Sequence, residues 1–407
     1  MNAWMRGFLA VVSLLTLNEF CAAAGPSVAD ANTTPATPIY VITNEDLTFP
    51  FQNEISFYLA SNTQLTVQNI LPTGGYGIQG GFFGTSRLNT VPSISAPCLY
   101  VSDSQSNDIA SISMPSQQLV GNFSGAQGDD GSQNGIGLAV NSNYLYASFT
   151  TSNTIATFAQ KTGCGLTFLG DVPAVGLQGG NVSGMAVNGN ILVAAYGDGS
   201  IQSFNVTGGM PVANNDLQNS TAFNAAPTSG NLPSGVDITQ DGRFAIFGDI
   251  SSPVTVEVSS LAGGTLAPTV VYRLGPGVDA GAIRLSPDQR LLYISNSESG
   301  TVMGALFNAA TGTVTKGCVS KTLSGFNGRP WFGSVVTRDA TGLGGVLYVA
   351  EFGRDGREVN HGPASAIGVL TIQYNGKACA LVESANSPVL TSFPGMLSVG
   401  VYPPRPF

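Results

Sequence analysis

A strand motif that recurs seven times along the chain is the strongest constraint on its fold. Each copy is a short run rich in apolar and aromatic residues. In chain order the copies read IYVITN, LYVSDS, LYASFT, ILVAAY, FAIFGD, LYISNS and LYVAEF. Their equivalent central residues are Tyr40, Tyr100, Tyr146, Val193, Ile246, Tyr293 and Tyr348. The spacing of about fifty residues predicts one supersecondary unit per copy.

The residues around each motif predict three more strands per unit. A small-residue turn and a short strand precede the motif, a further strand follows a polar turn, and a Gly-rich hairpin leads to a fourth. The third unit shows this order as GIGLAV, LYASFT, TIATFAQ and KTGCGLTFL. Four antiparallel strands in each repeat are typical of a propeller blade. Only 10% of the residues are charged, which also favours many short strands over long solvated helices.

The two ends of the chain complement each other. The first unit begins at its second strand, whereas residues 394–402 (PGMLSVGVY) have the form of a missing first strand. We therefore predict an all-β fold in which residues 39–407 form a single seven-bladed β-propeller. Each blade has four antiparallel strands, and pairing of the N- and C-terminal strands closes the ring. An open β-solenoid or two β-sandwiches are the alternatives, and neither needs complementary ends.

The N-terminus resembles an export signal. Arg6 precedes a mainly apolar run of ten residues, 8–17, and Ala22 to Ala24 provide a small-residue cleavage site. Ten residues are too few to span a bilayer of about 30 Å. We predict a signal peptide over residues 1–24, a disordered spacer over 25–38, and a secreted or periplasmic monomer without a membrane span.

The charge and the cysteines limit the possible partners and cofactors. The net charge of −9 disfavours nucleic-acid binding. With one His in the chain and no pair of closely spaced cysteines, we predict neither a metal nor a cofactor. Four cysteines follow the predicted signal peptide. The strand order places Cys98 beside Cys164 and Cys318 beside Cys379 in adjacent blades, and it predicts these two disulfides.

Two stretches carry a family resemblance: residues 285–296 (LSPDQRLLYISN) and the LYVSDSQSNDIASISM segment that begins at Leu99. They resemble the propeller lactonases, which include 6-phosphogluconolactonase-like and carboxymuconate-lactonising proteins and grade into YVTN-type repeat propellers. The resemblance implies metal-free chemistry on lactone rings or their open acids. It also implies His, Arg and Glu side chains where the first strand of each blade begins. No His stands at the corresponding turns of this chain.

Charged residues concentrate in one predicted loop, residues 351–365 of the seventh unit. Five of its fifteen residues are charged, against 10% in the whole chain. The charged residues and the single His are Glu351, Arg354, Asp355, Arg357, Glu358 and His361. The neighbouring loop, residues 44–54, contains Glu45, Asp46, Phe49 and Phe51. Both loops should open on the face of the ring where the first strands begin.

These loops define the candidate site. The candidate ligand-binding residues are Arg329, Trp331, Glu351, Arg354, Arg357 and His361, and the candidate catalytic residues are His361, Arg329 and Glu351. One interpretation is an exported lactonase-like propeller that binds a small polar or anionic ligand, or an extracellular saccharide or protein, without catalysis. The alternative is a lactone hydrolase or muconate-type cycloisomerase. Solvated loops whose charges pair with one another would explain the same residues without a site.

Overall fold

The structure is a computed structural model that describes residues 38–78, 88–90, 97–114, 116–125, 135–227, 232–250, 253–276, 280–324, 329–334, 344–352, 365–391 and 398–403. Within these ranges the strands form seven antiparallel sheets of four or five strands. The sheets are named blades I–VII, and the strands of a blade are A to D from the centre of the ring outwards.

The first three blades each have four strands. Blade I contains β1 (Ile39–Asn44), β2 (Glu54–Ser61), β3 (Gln64–Pro72) and, as strand A, β30 (Ser398–Tyr402). Blade II contains β4 (Leu88–Thr90), β5 (Cys98–Asp103), β6 (Asp108–Ser113) and β7 (Gln118–Ser124). Blade III contains β8 (Ile136–Val140), β9 (Tyr144–Phe149), β10 (Thr154–Gln160) and β11 (Leu166–Pro173).

Blades IV and VII each have two short pieces in place of one outer strand. Blade IV contains β12 (Val182–Asn188), β13 (Ile191–Tyr196), β14 (Ser200–Asn205), β15 (Val212–Ala213) and β16 (Gln218–Asn219), and the helix α1 (Thr221–Ala225) follows it. Blade V contains β17 (Leu232–Ile238), β18 (Phe244–Ile250), β19 (Val254–Ser260) and β20 (Val270–Gly275). Blade VI contains β21 (Ile283–Leu285), β22 (Leu291–Asn296), β23 (Thr301–Asn308) and β24 (Thr313–Val319). Blade VII contains β25 (Arg329–Ser334), β26 (Gly344–Phe352), β27 (Ala366–Tyr374), β28 (Cys379–Glu383) and β29 (Val389–Leu390). Single 3-10 turns lie at Thr162–Cys164, Ala262–Gly264 and Ser297–Ser299.

The predicted closure of the ring is confirmed. Strand β30 pairs antiparallel with β1, with Val401 opposite Val41. The strands A of consecutive blades contact one another around the ring, including β30 with both β25 and β4. Pairing the two ends of the chain in one blade leaves neither end as an open sheet edge.

The repeated motif forms strand B of each blade, and both of its faces are buried. Leu99 and Val101 pack against blade I, whereas Tyr100 packs against blade III. A strand that lies between two neighbouring blades has no solvated face, so its sequence is a continuous apolar run instead of an alternating one. This position explains why the motif stands out so clearly in the sequence.

The tyrosine of the motif also links neighbouring blades. The Tyr100 hydroxyl donates to Oε1 of Gln160 at 3.2 Å, and the Tyr146 hydroxyl donates to the Gly209 carbonyl at 3.0 Å. The Tyr348 hydroxyl donates to the Asn62 carbonyl at 3.4 Å. Each acceptor lies at the C–D hairpin of the next blade, so the motif supplies both apolar packing and a specific bond between blades.

Both predicted disulfides are confirmed. Cys98 and Cys164 join blades II and III, and Cys318 and Cys379 join blades VI and VII. The Cα atoms are 5.4 Å apart in each pair, an ordinary separation for a bridge. Among the residues that the structure describes, no helix has the length and apolar character needed to cross a membrane.

Candidate functional site

The candidate site lies on the face of the ring where strands A begin and strands B end, called here the B–C face. In blade VII the backbone brings two predicted site residues to this edge. Arg329 is the first residue of β25 and pairs with Phe352, and Pro330 pairs with Glu351. Arg329 and Glu351 therefore lie near the same end of adjacent strands. Trp331 falls where the register shifts between Pro330 and Phe332.

Glu351 carries a buried carboxyl group. Glu351 is 2% exposed, and neither its Oε1 nor its Oε2 atom has a hydrogen-bond partner among the described residues. The sequence predicted Glu351 as the first residue of the B–C loop, whereas it is the penultimate residue of β26. Its carboxyl lies against Gly368 of β27, where a Cβ atom would overlap Oε1.

The surroundings of Glu351 favour the protonated acid. Burial raises the pKa of Glu351 from 4.5 to about 8, and the negative charge of Glu383 adds to the rise. A desolvated carboxyl pays a large free-energy cost for ionisation, so it keeps its proton at neutral pH. Glu351 is thus able to donate a proton, which an ordinary surface glutamate at pH 7 is not.

The remaining predicted site residues lie outside what the structure describes. Arg354, Arg357 and His361, with Asp355 and Glu358, fall in residues 353–364. For Arg329 and Trp331 the structure describes the backbone only. Their roles in ligand binding and catalysis therefore stay predictions.

The 44–54 segment of blade I differs from the sequence interpretation. Glu45 and Asp46 are wholly buried instead of solvated, while Phe49 and Phe51 are exposed. Oε1 of Glu45 accepts a 2.6 Å hydrogen bond from the Thr43 hydroxyl, and Oε2 has no partner among the described residues. Burial raises the pKa of Glu45 to about 7. Both of these acidic residues are thus shielded from solvent.

Two more buried carboxyls lie at ends of strands B on the B–C face, and the sequence interpretation missed both. Asp103 accepts hydrogen bonds from Asn53 at 2.7 Å and from Thr73 at 2.8 Å. Asp249 is wholly buried beside the carboxyl group of Glu257. Burial is the main cause that raises the pKa of both carboxyl groups. The nearby carboxyl of Asp108 raises the pKa of Asp103 further, and that of Glu257 raises the pKa of Asp249 further.

A signal for these residues exists in the repeat. Asp103, Asp249 and Glu351 each stand three residues after the central residue of their motif. An acidic residue in an otherwise apolar strand is a candidate for a perturbed pKa, because strand B is buried on both faces. Within the described ranges, no three His, Cys, Asp or Glu side chains gather closely enough to hold a metal ion.

The comparisons with known proteins agree with this architecture. The sequence profile described as "Lactonase, 7-bladed beta-propeller" matches residues 99–394. This match covers most of the chain, so the chain belongs to the seven-bladed β-propeller lactonase family. The comparison with curated proteins gave no match.

Several solved structures share the fold at low sequence identity. A putative 6-phosphogluconolactonase from Bacteroides fragilis superposes with a TM-score of 0.63 at 17% identity, covering 91% of this chain and 99% of that one. A periplasmic gluconolactonase from Pseudomonas aeruginosa superposes with a TM-score of 0.61 at 14% identity, covering 89% and 99%. A protein from Lactobacillus plantarum gives 0.64 at 16% identity, covering 90% and 99%. These likenesses establish a shared fold.

Proposed function

We propose that this protein binds a small polar or anionic ligand of the lactone or hydroxy-acid class on the B–C face beside blade VII. The observation that carries the proposal is Glu351, a carboxyl that is buried, has no hydrogen-bond partner among the described residues and has a pKa of about 8. A protonated carboxyl donates a strong hydrogen bond to a lactone carbonyl or a carboxylate oxygen. Perturbed carboxyls of this kind concentrate at functional sites.

The proposed ligand also explains the basic residues of the seventh unit. The guanidinium groups of Arg329, Arg354 and Arg357 offer paired donors that match a carboxylate. In the pairing of β25 with β26, Arg329 lies opposite Phe352, the residue that follows Glu351. Arg329 and Glu351 are therefore close to the same end of the two strands. In this proposal the arginines hold the anionic end of the ligand, and Glu351 donates to its neutral oxygen.

Lactone hydrolysis is the second candidate, and the near-neutral pKa of Glu351 favours it. A general acid works best when its pKa is close to the working pH. Water would add to the lactone carbonyl carbon, with His361 accepting the water proton. The ring carbon–oxygen bond would then break as the ring oxygen takes the proton of Glu351. The product is a hydroxy acid, and proton exchange with solvent restores both side chains.

A panel of γ- and δ-lactones and their open acids tests both candidates. Calorimetry measures binding of the acids, and proton release at constant pH measures hydrolysis of the lactones. We expect Glu351→Gln, which keeps the size of the side chain but holds no titratable proton, to abolish hydrolysis, and Glu351→Leu, which can donate no hydrogen bond, to weaken binding at least tenfold. Asp171→Asn on the outer strand of blade III is the matched control and should leave binding unchanged.

The outcomes separate the two candidates from a structural role. Turnover that is lost in both Glu351→Gln and His361→Ala supports hydrolysis, whereas binding without turnover supports a binding protein. Arg329→Ala and Arg354→Ala should weaken acid binding tenfold or more, with the melting temperature nearly unchanged. A melting temperature several degrees lower with binding intact would show that these residues form a structural ion-pair network instead.

Export is part of the proposal. The two disulfides are typical of an oxidising compartment, which agrees with a signal peptide over residues 1–24 and a spacer over 25–38. We propose a secreted or periplasmic monomer. Mass spectrometry of the exported protein should give a mature N-terminus near Gly25, and light scattering should give the mass of one chain.

A further inference from the structure

The tip of the 45–53 loop in blade I carries two exposed aromatic side chains. Phe49 is 66% exposed and Phe51 is 58% exposed. The tip residues 48–52 (TFPFQ) have no formal charge. Both rings are therefore presented to solvent at one loop tip.

The loop is held rigidly at its base. The Leu47 amide donates to Oδ1 of Asn53 at 3.1 Å, and Nδ2 of Asn53 donates to Oδ1 of the buried Asp103 at 2.7 Å. The Phe51 amide donates to the Thr48 carbonyl at 3.0 Å. These bonds fix the backbone that presents both rings, so little conformational entropy is lost when a ligand binds.

Gln105, in the B–C turn of blade II, holds the tip itself. Its Oε1 accepts from the Thr48 hydroxyl at 2.6 Å and from the Phe49 amide at 3.0 Å. Its Nε2 group has no hydrogen-bond partner in the described part of the chain. A donor therefore remains beside the Phe49 ring. Tyr76 fixes that ring by an edge contact, with centroids 5.8 Å apart and planes at 68°.

The size and charge of this surface indicate the class of ligand. Two phenylalanine side chains at these exposures present about 250 Å² of apolar surface, against about 800 Å² per partner in a stable protein interface. The absence of charge at residues 48–52 gives a charged ligand no counterion. Flat apolar rings beside an amide donor suit a sugar ring, which has apolar C–H faces and hydroxyl acceptors at its edges.

We propose that Phe49, Phe51 and Gln105 form a binding site for a neutral oligosaccharide. The sugar rings stack on the two phenylalanines, and Nε2 of Gln105 donates to a hydroxyl oxygen. This site is separate from the anionic-ligand site proposed beside blade VII, and it does not depend on that proposal.

Saturation-transfer NMR with cellohexaose, maltohexaose and xylohexaose tests the proposal on the full chain. We expect at least one of the three to bind, and the Phe49→Ala/Phe51→Ala double variant to weaken its affinity at least tenfold. Gln105→Glu keeps the acceptor for Thr48 and Phe49 but removes the donor, and it should weaken binding at least threefold. Val212→Ala, which shortens an equally exposed apolar side chain in blade IV, is the control and should bind like the wild type.

Three results would overturn the proposal. The first is no binding of any of the three oligosaccharides, and the second is unchanged affinity in the double variant. The third is a wild-type dimer in solution that the double variant converts to a monomer, because the surface would then join two copies of the chain. Glu351→Gln should leave oligosaccharide binding intact, so failure of the blade VII site and failure of this one are distinguishable.

Discussion

Glu351 and Gly368 fit together on adjacent strands of blade VII: the carboxyl of the first occupies the space that a side chain on the second would fill. Gly368 lies opposite Val349 in the pairing of β26 with β27. A glycine at this position leaves room for a carboxyl group in a strand that is otherwise apolar. The arrangement explains how a glutamate is accommodated near the end of β26.

Gly368→Ala should therefore destabilise the protein. The new methyl group overlaps Oε1 of Glu351, and overpacking of this kind costs about 1–3 kcal/mol. Urea unfolding measures the loss. Gly165→Ala is the control, because its Cβ would stand 3.7 Å from the nearest side-chain atom and should change the free energy of unfolding little. Equal stability of the two variants would contradict the packing of Glu351 against Gly368.

The buried glutamates should make the protein more stable in acid than in base. Burial raises the pKa of Glu45 from 4.5 to about 7, so the folded state holds a proton that the unfolded chain has released. Its stabilising effect is complete below pH 4.5 and is lost as the pH rises through 7. The loss corresponds to about 3 kcal/mol for this group.

Urea unfolding at several pH values tests this dependence. Glu45→Gln keeps an acceptor for Thr43 but has no proton to lose, so its stability should change less between pH 4.5 and 7 than that of the wild type. Parallel pH profiles of the two proteins would show that Glu45 has an ordinary pKa in the folded state.

Tyr146→Phe should weaken the link between blades III and IV. The substitution removes the 3.0 Å bond to the Gly209 carbonyl and leaves the aromatic packing in place. We expect a loss of about 1 kcal/mol in the free energy of unfolding. The Tyr272 hydroxyl has no hydrogen-bond partner within the described ranges, so Tyr272→Phe serves as the control. A loss of the same size in both variants would argue against the link.

Removing the disulfide between blades VI and VII should lower stability without changing the fold. Cys318 and Cys379 are 61 residues apart in sequence, and breaking such a bridge costs about 2–4 kcal/mol. Thermal unfolding of the Cys318→Ser/Cys379→Ser variant, with circular dichroism to verify the strand content, measures the effect. An unchanged melting temperature would mean that this bridge contributes nothing to the folded state.

The architecture could be predicted from the sequence because it repeats. The seven motifs defined strand B of every blade, and residues 394–402 revealed the closing strand because they match the first strands of other units. The disulfides followed from the same blade order. A single short apolar run could be a strand or part of a helix, but seven similar runs at a regular spacing indicate the same strand in seven repeated units.

The site could be predicted only in part, because burial of a loop residue depends on contacts between blades. Glu45 and Asp46 lie in a polar segment that suggests solvent exposure, yet both are wholly buried. The acceptor of Tyr146 is a backbone carbonyl 63 residues away, which no side-chain pattern encodes. Glu351 was identified by its charged neighbours, whereas its isolation from hydrogen-bond partners needed the three-dimensional packing.

We expect Glu351 to be protonated at neutral pH at the end of the buried strand β26. Carbon-13 NMR titration of glutamate carboxyl groups, with Glu351→Gln to assign the signal, measures this directly. We expect a resonance that titrates near pH 8 and is absent in the variant. A Glu351 signal that titrates near its ordinary value of 4.5 would contradict it.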